Sequence, residues 1–142
     1  MITRHIINNT LLVFLTTISL SLYSQIDSND LNERYLSFND LATVFVYSDD
    51  CVTIESFQLY NIKEGESSKP IHIAVNDLSG VIKFSIESSS SVYENQRRCK
   101  LVMYQEQYIN TFRLVIYNMG VKFILYNGNR MEVEEFIELL KN

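Results

Sequence analysis

The chain has 142 residues, of which 46% are hydrophobic and 20% charged, and its formal net charge at pH 7 is −5. This composition and length are typical of a globular protein that can bury a sizeable core. Because nucleic acids and anionic membrane surfaces are bound by clustered Lys and Arg, the acidic balance argues against both as partners.

Residues 1–24 have the pattern of a secretory signal peptide. Arg4 lies in a short polar start, and an apolar run that is too short to span a bilayer follows it. The small side chain of Ser24 suits cleavage before Gln25. We therefore predict cleavage between Ser24 and Gln25, with a retained N-terminal anchor as the alternative. The exported chain would lie in the periplasm or outside the cell, with no stable membrane span after cleavage.

The remaining residues, 25–142, are predicted to form a single β-rich domain. Its net charge is −6, because the removed segment contains Arg4 and no acidic residue. Asp30 and Glu33 have the spacing of a capping box, which predicts a helix near the start of the domain. Apolar residues recur at helical intervals from Asp30 onward, namely Leu31, Tyr35 and Phe38.

From Thr43 onward, β-branched and aromatic residues dominate short runs that are separated by turn residues. Within one of these runs the apolar alternation changes phase, which predicts a β-bulge near Glu55 and Ser56. Alternation in another run places His72 on the exposed or half-exposed side of a strand, opposite the apolar residues Ile71, Ile73 and Val75. The runs predict seven short strands, at residues 43–48, 51–60, 71–76, 81–87, 99–108, 111–118 and 121–126.

Residues 111–126 are predicted to form a β-hairpin around Met119 and Gly120. A loop of even length puts six apolar side chains on one face, those of Phe112, Leu114, Ile116, Val121, Phe123 and Leu125. The opposite face has mixed polarity, and aromatic and Arg residues are typical anchors of protein interfaces. We therefore predict a contact surface there, with packing beneath a helix as the alternative, formed by Arg113, Tyr117, Lys122 and Tyr126.

The chain ends in a predicted amphipathic helix. The segment Asn127-Gly128-Asn129 breaks the last strand, and apolar residues then recur at the spacing of one helical face, namely Val133, Phe136, Ile137 and Leu140. Acidic residues cluster at its start and Lys141 lies at its end, which suits the helix macrodipole. We interpret the acidic cluster as a solvated helix start rather than a metal or substrate site, and it consists of Glu132, Glu134 and Glu135.

Cys51 and Cys99 both lie in the predicted exported part, where an oxidising compartment allows thiols to pair. We predict a disulfide between them, with two separate buried thiols or an intermolecular bridge as alternatives. The two cysteines lack the Cys-x-x-Cys spacing of a redox pair. Together with His72, the one histidine beyond residue 24, they do not make a convincing zinc site.

Sequence motifs of catalysis are absent. The chain has no Gly-x-Ser-x-Gly elbow, no His-Glu-x-x-His pair and no phosphate-binding glycine loop. Asp49 and Asp50 lie between two predicted strands, where Asp is favoured in turns. We therefore predict no catalytic residue, no metal and no cofactor, and we favour a non-enzymatic role over an enzyme.

We predict an α+β fold, with a small antiparallel sheet or a partly open barrel or sandwich of six or seven short strands. A C-terminal helix and an N-terminal helix complete it. The order of short strands before a C-terminal helix is similar to that of PH-like barrels, a likeness of architecture that implies no function.

The predicted function is binding to another envelope or secreted protein. One alternative is a carrier of a small apolar ligand, with a cavity inside the sheet lined by Ile82, Phe84, Phe112 and Phe123. Another is a carboxylate-dependent hydrolase, which requires two acids in a cleft with the pKa of one raised.

Overall fold

A computed structural model describes residues 32–63, 65–88 and 95–142. These residues belong to the second of the two units into which the chain divides, residues 32–142. The strands are β1 (Tyr35–Phe38), β2 (Phe45–Tyr47), β3 (Cys51–Tyr60), β4 (Val81–Ile86), β5 (Gln96–Tyr104), β6 (Phe123–Tyr126) and β7 (Asn129–Glu132). The helices are α1 (Leu41–Val44), α2 (Lys69–Asn76), α3 (Tyr108–Asn118) and α4 (Val133–Leu139). The predicted signal peptide, its cleavage site at Ser24 and Gln25, and residues 30 and 31 lie outside the described residues.

The seven strands form one open sheet in the order β4-β5-β3-β1-β6-β7, with β2 also paired to β3. Strands β1 and β6 are parallel, and the other pairs are antiparallel. The predicted α+β class with a C-terminal helix is therefore confirmed. The sheet is mixed and open, so it does not close into a barrel of the PH-like kind.

Strand β3 organises one half of the sheet. Both β1 and β2 pair with it, and β5 pairs with it along its whole length. The β3–β5 register shifts between Ile54 and Phe57, which confirms the bulge predicted near Glu55 and Ser56. The bulge adds one residue to β3 and so changes the phase of its alternation. The apolar side chains before and after the bulge therefore all face the core, namely Val52, Ile54, Phe57 and Leu59.

The main core lies between one face of the sheet and the helices. Phe112 of α3 contacts Phe38 of β1 and Phe45 of β2 edge-on, and Phe136 of α4 stacks on Phe38 with ring centroids 5.3 Å apart. Leu101 and other alternate residues of the strands complete this buried layer. The fold thus has two layers, and burial of this face supplies its main stabilisation.

The other face of β3, β1 and β6 has an aromatic row. The rings of Tyr60 and Tyr35 stack with centroids 4.6 Å apart, and Tyr35 stacks on Phe123 at 5.0 Å. The guanidinium of Arg130 lies 4.2 Å from the Phe123 ring centroid and 3.5 Å from the carboxylate of Glu33. The three rings and Arg130 lie on neighbouring strands, so their contacts stabilise the sheet itself.

Two predicted strands are helices. Residues 111–118 belong to α3, so the predicted hairpin 111–126 and its even loop are wrong. Residues 71–76 belong to α2, in which Ile71 and Val75 are buried and Ile73 is 49% exposed. His72 is exposed on this helix rather than on a strand. In both segments the buried positions follow the helical period instead of strict alternation.

The predicted N-terminal helix is also wrong over its described part, because Tyr35–Phe38 is strand β1. Strands β3 and β6 flank β1 on its two sides and bond to its backbone. The segment between the last predicted strand and the C-terminal helix contains a further strand, β7. Asn127 and Gly128 both have positive φ, as a tight hairpin between β6 and β7 requires. The C-terminal helix itself is confirmed as α4.

Candidate functional site

A groove of about 220 Å³ lies where the end of α3 meets the start of α4. It is open to solvent, and charged side chains of both signs surround one tyrosine. We call it the α3–α4 groove, and its lining consists of Tyr117, Gly120, Val121, Lys122, Glu132, Val133 and Glu134.

Helix α3 presents Arg113 and Tyr117 at this groove because they lie four residues apart, on one face of the helix. The opposite face of α3 is anchored in the core by Phe112, Val115 and Ile116. Tyr117 is 49% exposed although it is a large aromatic residue. The core therefore fixes the backbone beneath an exposed side chain of the kind that anchors interfaces.

Glu134 joins the two helices. Its carboxylate accepts a hydrogen bond from the Tyr117 hydroxyl at 2.6 Å and lies 3.7 Å from the Arg113 guanidinium. The hydrogen bond to this carboxylate raises the pKa of Tyr117, which keeps the hydroxyl protonated as a donor. Next to it, the Glu135 carboxylate accepts a hydrogen bond from the Glu132 backbone N–H at 3.1 Å. Glu135 thus caps the start of α4, as expected for an acid in that position.

The segment that carries Lys122 is held by Arg34. The Arg34 carbonyl accepts a hydrogen bond from the Lys122 backbone N–H at 2.8 Å. The Arg34 guanidinium donates a second hydrogen bond to the Met119 carbonyl at 3.2 Å. The same guanidinium forms an ion pair with Glu66. This hydrogen-bonded pairing lowers the pKa of the Glu66 carboxyl. Lys122 therefore projects from a fixed backbone while its own side chain stays exposed.

The structure brings together three of the four predicted contact residues. Arg113, Tyr117 and Lys122 lie at or beside the α3–α4 groove. Tyr126 lies apart from them, because it belongs to β6 and packs edge-on against Phe136 with ring centroids 6.0 Å apart. Tyr126 thus contributes to the core, as in the alternative prediction that this face packs beneath a helix. Glu134 was not predicted as their partner, because Tyr117 lies 17 residues earlier in the chain, beyond the reach of helical or strand spacing.

The predicted Cys51–Cys99 disulfide is not formed in this structure. Both thiols are free, and the two residues lie on opposite faces of the sheet. Cys99 is 1% exposed and points into the core, whereas Cys51 is half-buried on the other side of the alternation. Burial raises the pKa of the Cys99 thiol to about 12, and the Glu87 carboxylate adds to this effect. The Cys99 thiol is therefore protonated at neutral pH.

The four residues predicted to line a carrier cavity do not face a common space. Phe84 and Phe112 are packed in the core, and Ile82 is 45% exposed. Phe123 lies on the other face of the sheet, against Tyr35 and Arg130. The carrier alternative thus lacks the lining that it required.

The described residues contain no group of three or more His, Cys, Asp or Glu side chains that could hold a metal ion. Asp49 and Asp50 are exposed at the bend before β3, where turn residues are expected. Within the same part of the chain, no helix combines the length and apolar character needed to cross a membrane.

No family model, curated protein or solved structure matches this chain. A functional assignment for the chain therefore depends on its own geometry and chemistry.

Proposed function

We propose that the chain is an exported, non-enzymatic domain that binds another protein of the envelope or extracellular space through the α3–α4 groove. The observation that carries this proposal is the convergence of Arg113, Tyr117 and Lys122 around one groove, with Tyr117 about half exposed. Tyr and Arg are enriched among the residues that dominate binding energy in protein interfaces.

The size and charge of the groove favour a protein over a small molecule. Its volume of about 220 Å³ is below the range of about 300–1,000 Å³ that is typical of small-molecule sites. Its rim has cations at Arg113 and Lys122 and carboxylates at Glu132 and Glu134. Such mixed charges around an aromatic centre suit a partner surface with complementary charges of both signs.

Export is supported by the sequence pattern of residues 1–24 and by the small Ser24 before Gln25. The intact mass of the protein recovered from the envelope or medium tests this part of the proposal. A chain that begins at Gln25 would support cleaved export. A chain that is found uncleaved and only in the cytoplasm would contradict it.

The binding site is tested by affinity capture after mild cross-linking, with quantitative mass spectrometry of the captured proteins. Tyr117→Ser removes the ring at the groove, and Val46→Ser is a matched control because Val46 is 51% exposed on β2. We expect one stoichiometric partner that is retained by wild type and Val46→Ser and lost with Tyr117→Ser, while all three chains melt alike. Equal capture by both variants, or no partner for the folded wild type, would contradict the proposal.

A further inference from the structure

Two adjoining hollows lie at the other end of α3, away from Tyr117. Each has a volume of about 300 Å³, which is within the range of small-molecule sites. They share Gln107 and Asn110, so a single ligand can occupy both. The first hollow has Tyr104 on its wall and the second has Tyr108.

The first hollow combines apolar surface with unengaged polar groups. Tyr104 is 52% exposed and Leu114 is 46% exposed, so they offer an aromatic and an aliphatic wall. Among the residues that the structure describes, no hydrogen bond engages the side chains of Glu106, Gln107 and Asn110. Two amides and a carboxylate together supply several donors and acceptors for a ligand rich in hydroxyl groups.

The walls of the hollows are held in place by the fold. Gly80 packs so closely on α3 that a Cβ at this position would lie 2.0 Å from the Thr111 Oγ1. The Tyr104 backbone N–H donates to the Gly80 carbonyl at 3.1 Å, which fixes the end of β5. The Tyr108 side chain at the second hollow is held by Tyr47, which lies outside the lining, through a hydrogen bond of 2.9 Å between the two hydroxyls. The site is therefore formed before any ligand arrives, which reduces the entropic cost of binding.

The charges of the two hollows exclude an anion as the favoured ligand. Glu106 is the one charged residue in the lining of the first hollow. Lys141 is the charged residue of the second, and its ammonium is already paired with the Glu138 carboxylate. A phosphate or polyacid would meet a carboxylate without a free cation, which is unfavourable.

We infer that these hollows bind a neutral oligosaccharide, with one sugar ring in each hollow. The apolar face of a sugar ring packs against the Tyr104 ring, and its hydroxyl edge bonds to the side chains of Glu106, Gln107 and Asn110. The next sugar ring lies against Tyr108 and Ile109 in the second hollow. This site is separate from the α3–α4 groove and does not depend on the function proposed for it.

The test is a titration of the exported chain that is monitored through the NMR chemical shifts of its backbone amides. The probes are maltotriose, cellotriose, chitotriose and mannotriose, each with its monosaccharide, and inorganic phosphate and galacturonic acid as anionic controls. We expect saturable shifts around Gln107 and Asn110 with at least one trisaccharide, which binds about tenfold more tightly than its monosaccharide. No saturable shift with any neutral probe, shifts elsewhere on the domain, or equal binding of the anions would overturn the inference.

Variants at Tyr104 locate the site independently of folding. Tyr104→Ala removes the ring and should weaken binding by about tenfold or more, whereas Tyr104→Trp keeps an aromatic wall and should preserve binding. Asn110→Ala should also weaken it, while Tyr117→Ser should leave it unchanged. Loss of protein capture in Tyr117→Ser with sugar binding intact would separate the two sites. Sugar binding that is unaffected by Tyr104→Ala would contradict this assignment.

Discussion

Gly80 shows how one missing Cβ sets the position of a helix. Its φ is not in the left-handed region, so backbone freedom does not explain a glycine here. The cause is space, because Thr111 of α3 occupies the volume that a Cβ would need. The contact brings α3 onto the turn before β4 and forms the floor of the first hollow.

We expect Gly80→Ala to lower the free energy of unfolding by about 1–3 kcal/mol, because the added methyl overpacks the contact with Thr111. Urea denaturation of the wild type and of Gly80→Ala measures this difference. The neighbouring Ser79→Ala is the control, and its effect should stay within about 0.5 kcal/mol because Ser79 is exposed. Equal stability of Gly80→Ala and wild type would show that α3 is not held against Gly80 in solution.

The two cysteines should differ in reactivity. Cys51 is half-buried, whereas Cys99 is 1% exposed and burial raises its pKa to about 12. Because the thiolate is the reactive form, a disulfide reagent under native conditions at neutral pH should label Cys51 far faster than Cys99. Intact mass should show two labels only after unfolding. A chain that takes no label even when unfolded without reductant would contain the disulfide and contradict this structure.

The Arg34–Glu66 ion pair should make stability depend on pH. The pKa of Glu66 is lowered in the folded state, so its contribution is present above the unfolded value of about 4.5 and is lost as pH falls through the folded value. We expect Glu66→Gln to lower the free energy of unfolding by up to about 1 kcal/mol at neutral pH and by progressively less in acid. Urea denaturation across this pH range measures it, with Glu106→Gln as the control. A cost that is constant with pH would show that the charge of Glu66 is not responsible.

At the scale of elements, periodicity predicted some of the fold well. Strand β3 with its bulge and helix α4 follow from the sequence, because the buried positions of each have a clear period. Strand β4 was also predicted, but its register with β5 shifts between Val81 and Lys83, so Ile82 is exposed instead of sharing the buried face of Phe84. The helix α3 was missed because its β-branched and aromatic residues favour a strand. Its helical period is nevertheless visible in the sequence, at the buried positions Phe112, Val115, Ile116 and Met119.

Two local sequence signals indicate secondary structure that we did not predict from them. Pro70 lies in the first turn of α2, where a proline is favoured, and it marks a helix start rather than the end of a loop. Asn127-Gly128 is a strong signal for a two-residue hairpin, and it joins β6 to β7 instead of ending the sheet. Strand β1 could not be identified from its own short sequence, because its state depends on pairing with β3 and β6.

Asn76 links helix α2 to the edge of the sheet. Its side-chain carbonyl accepts from the Phe84 N–H at 2.8 Å, and its side-chain amide donates to the Phe84 carbonyl at 3.0 Å. Strand β4 is the edge strand at this end of the order, so the amide takes the place of a neighbouring strand at this position. Covering an edge in this way limits pairing with other chains.

We expect Asn76→Ala to lower the free energy of unfolding by about 1–3 kcal/mol, because it leaves both backbone groups of Phe84 without this partner. Asn118→Ala is the control. It removes one exposed hydrogen bond to the Leu114 carbonyl and should change stability by about 0.5 kcal/mol or less. Thermal or urea denaturation distinguishes them. If Asn76→Ala were as stable as the control, the amide would contribute nothing to holding the edge.

At the scale of the whole molecule, the structure brings together three of the four residues of the predicted contact surface, although the predicted hairpin was wrong. Arg113 and Tyr117 are four residues apart, so they share a face in a strand and in a helix alike. Tyr126 was grouped with them only because a hairpin was predicted. That segment is a helix followed by a strand, so Tyr126 lies away from them. Glu134 and the hollows beside Tyr104 depend on tertiary packing, which sequence spacing does not encode.

The same two-layer arrangement exposes α3 along one side while its other side fixes the helix in the core. Its two ends carry the two proposed sites, with Tyr117 at one and Gln107 and Asn110 at the other. Helix α3 is therefore the element on which both proposals depend. A surface anchored in this way can bind without rearrangement of the domain.

The most direct test of the central claim, that the α3–α4 groove contacts a partner protein, is site-specific photo-crosslinking in the producing cells. A photoreactive amino acid replaces Tyr117 in one chain and Val46 in another, since both positions are exposed. We predict one discrete protein adduct from position 117 and none from position 46. The absence of an adduct at position 117, or the same adduct from both positions, would contradict the claim.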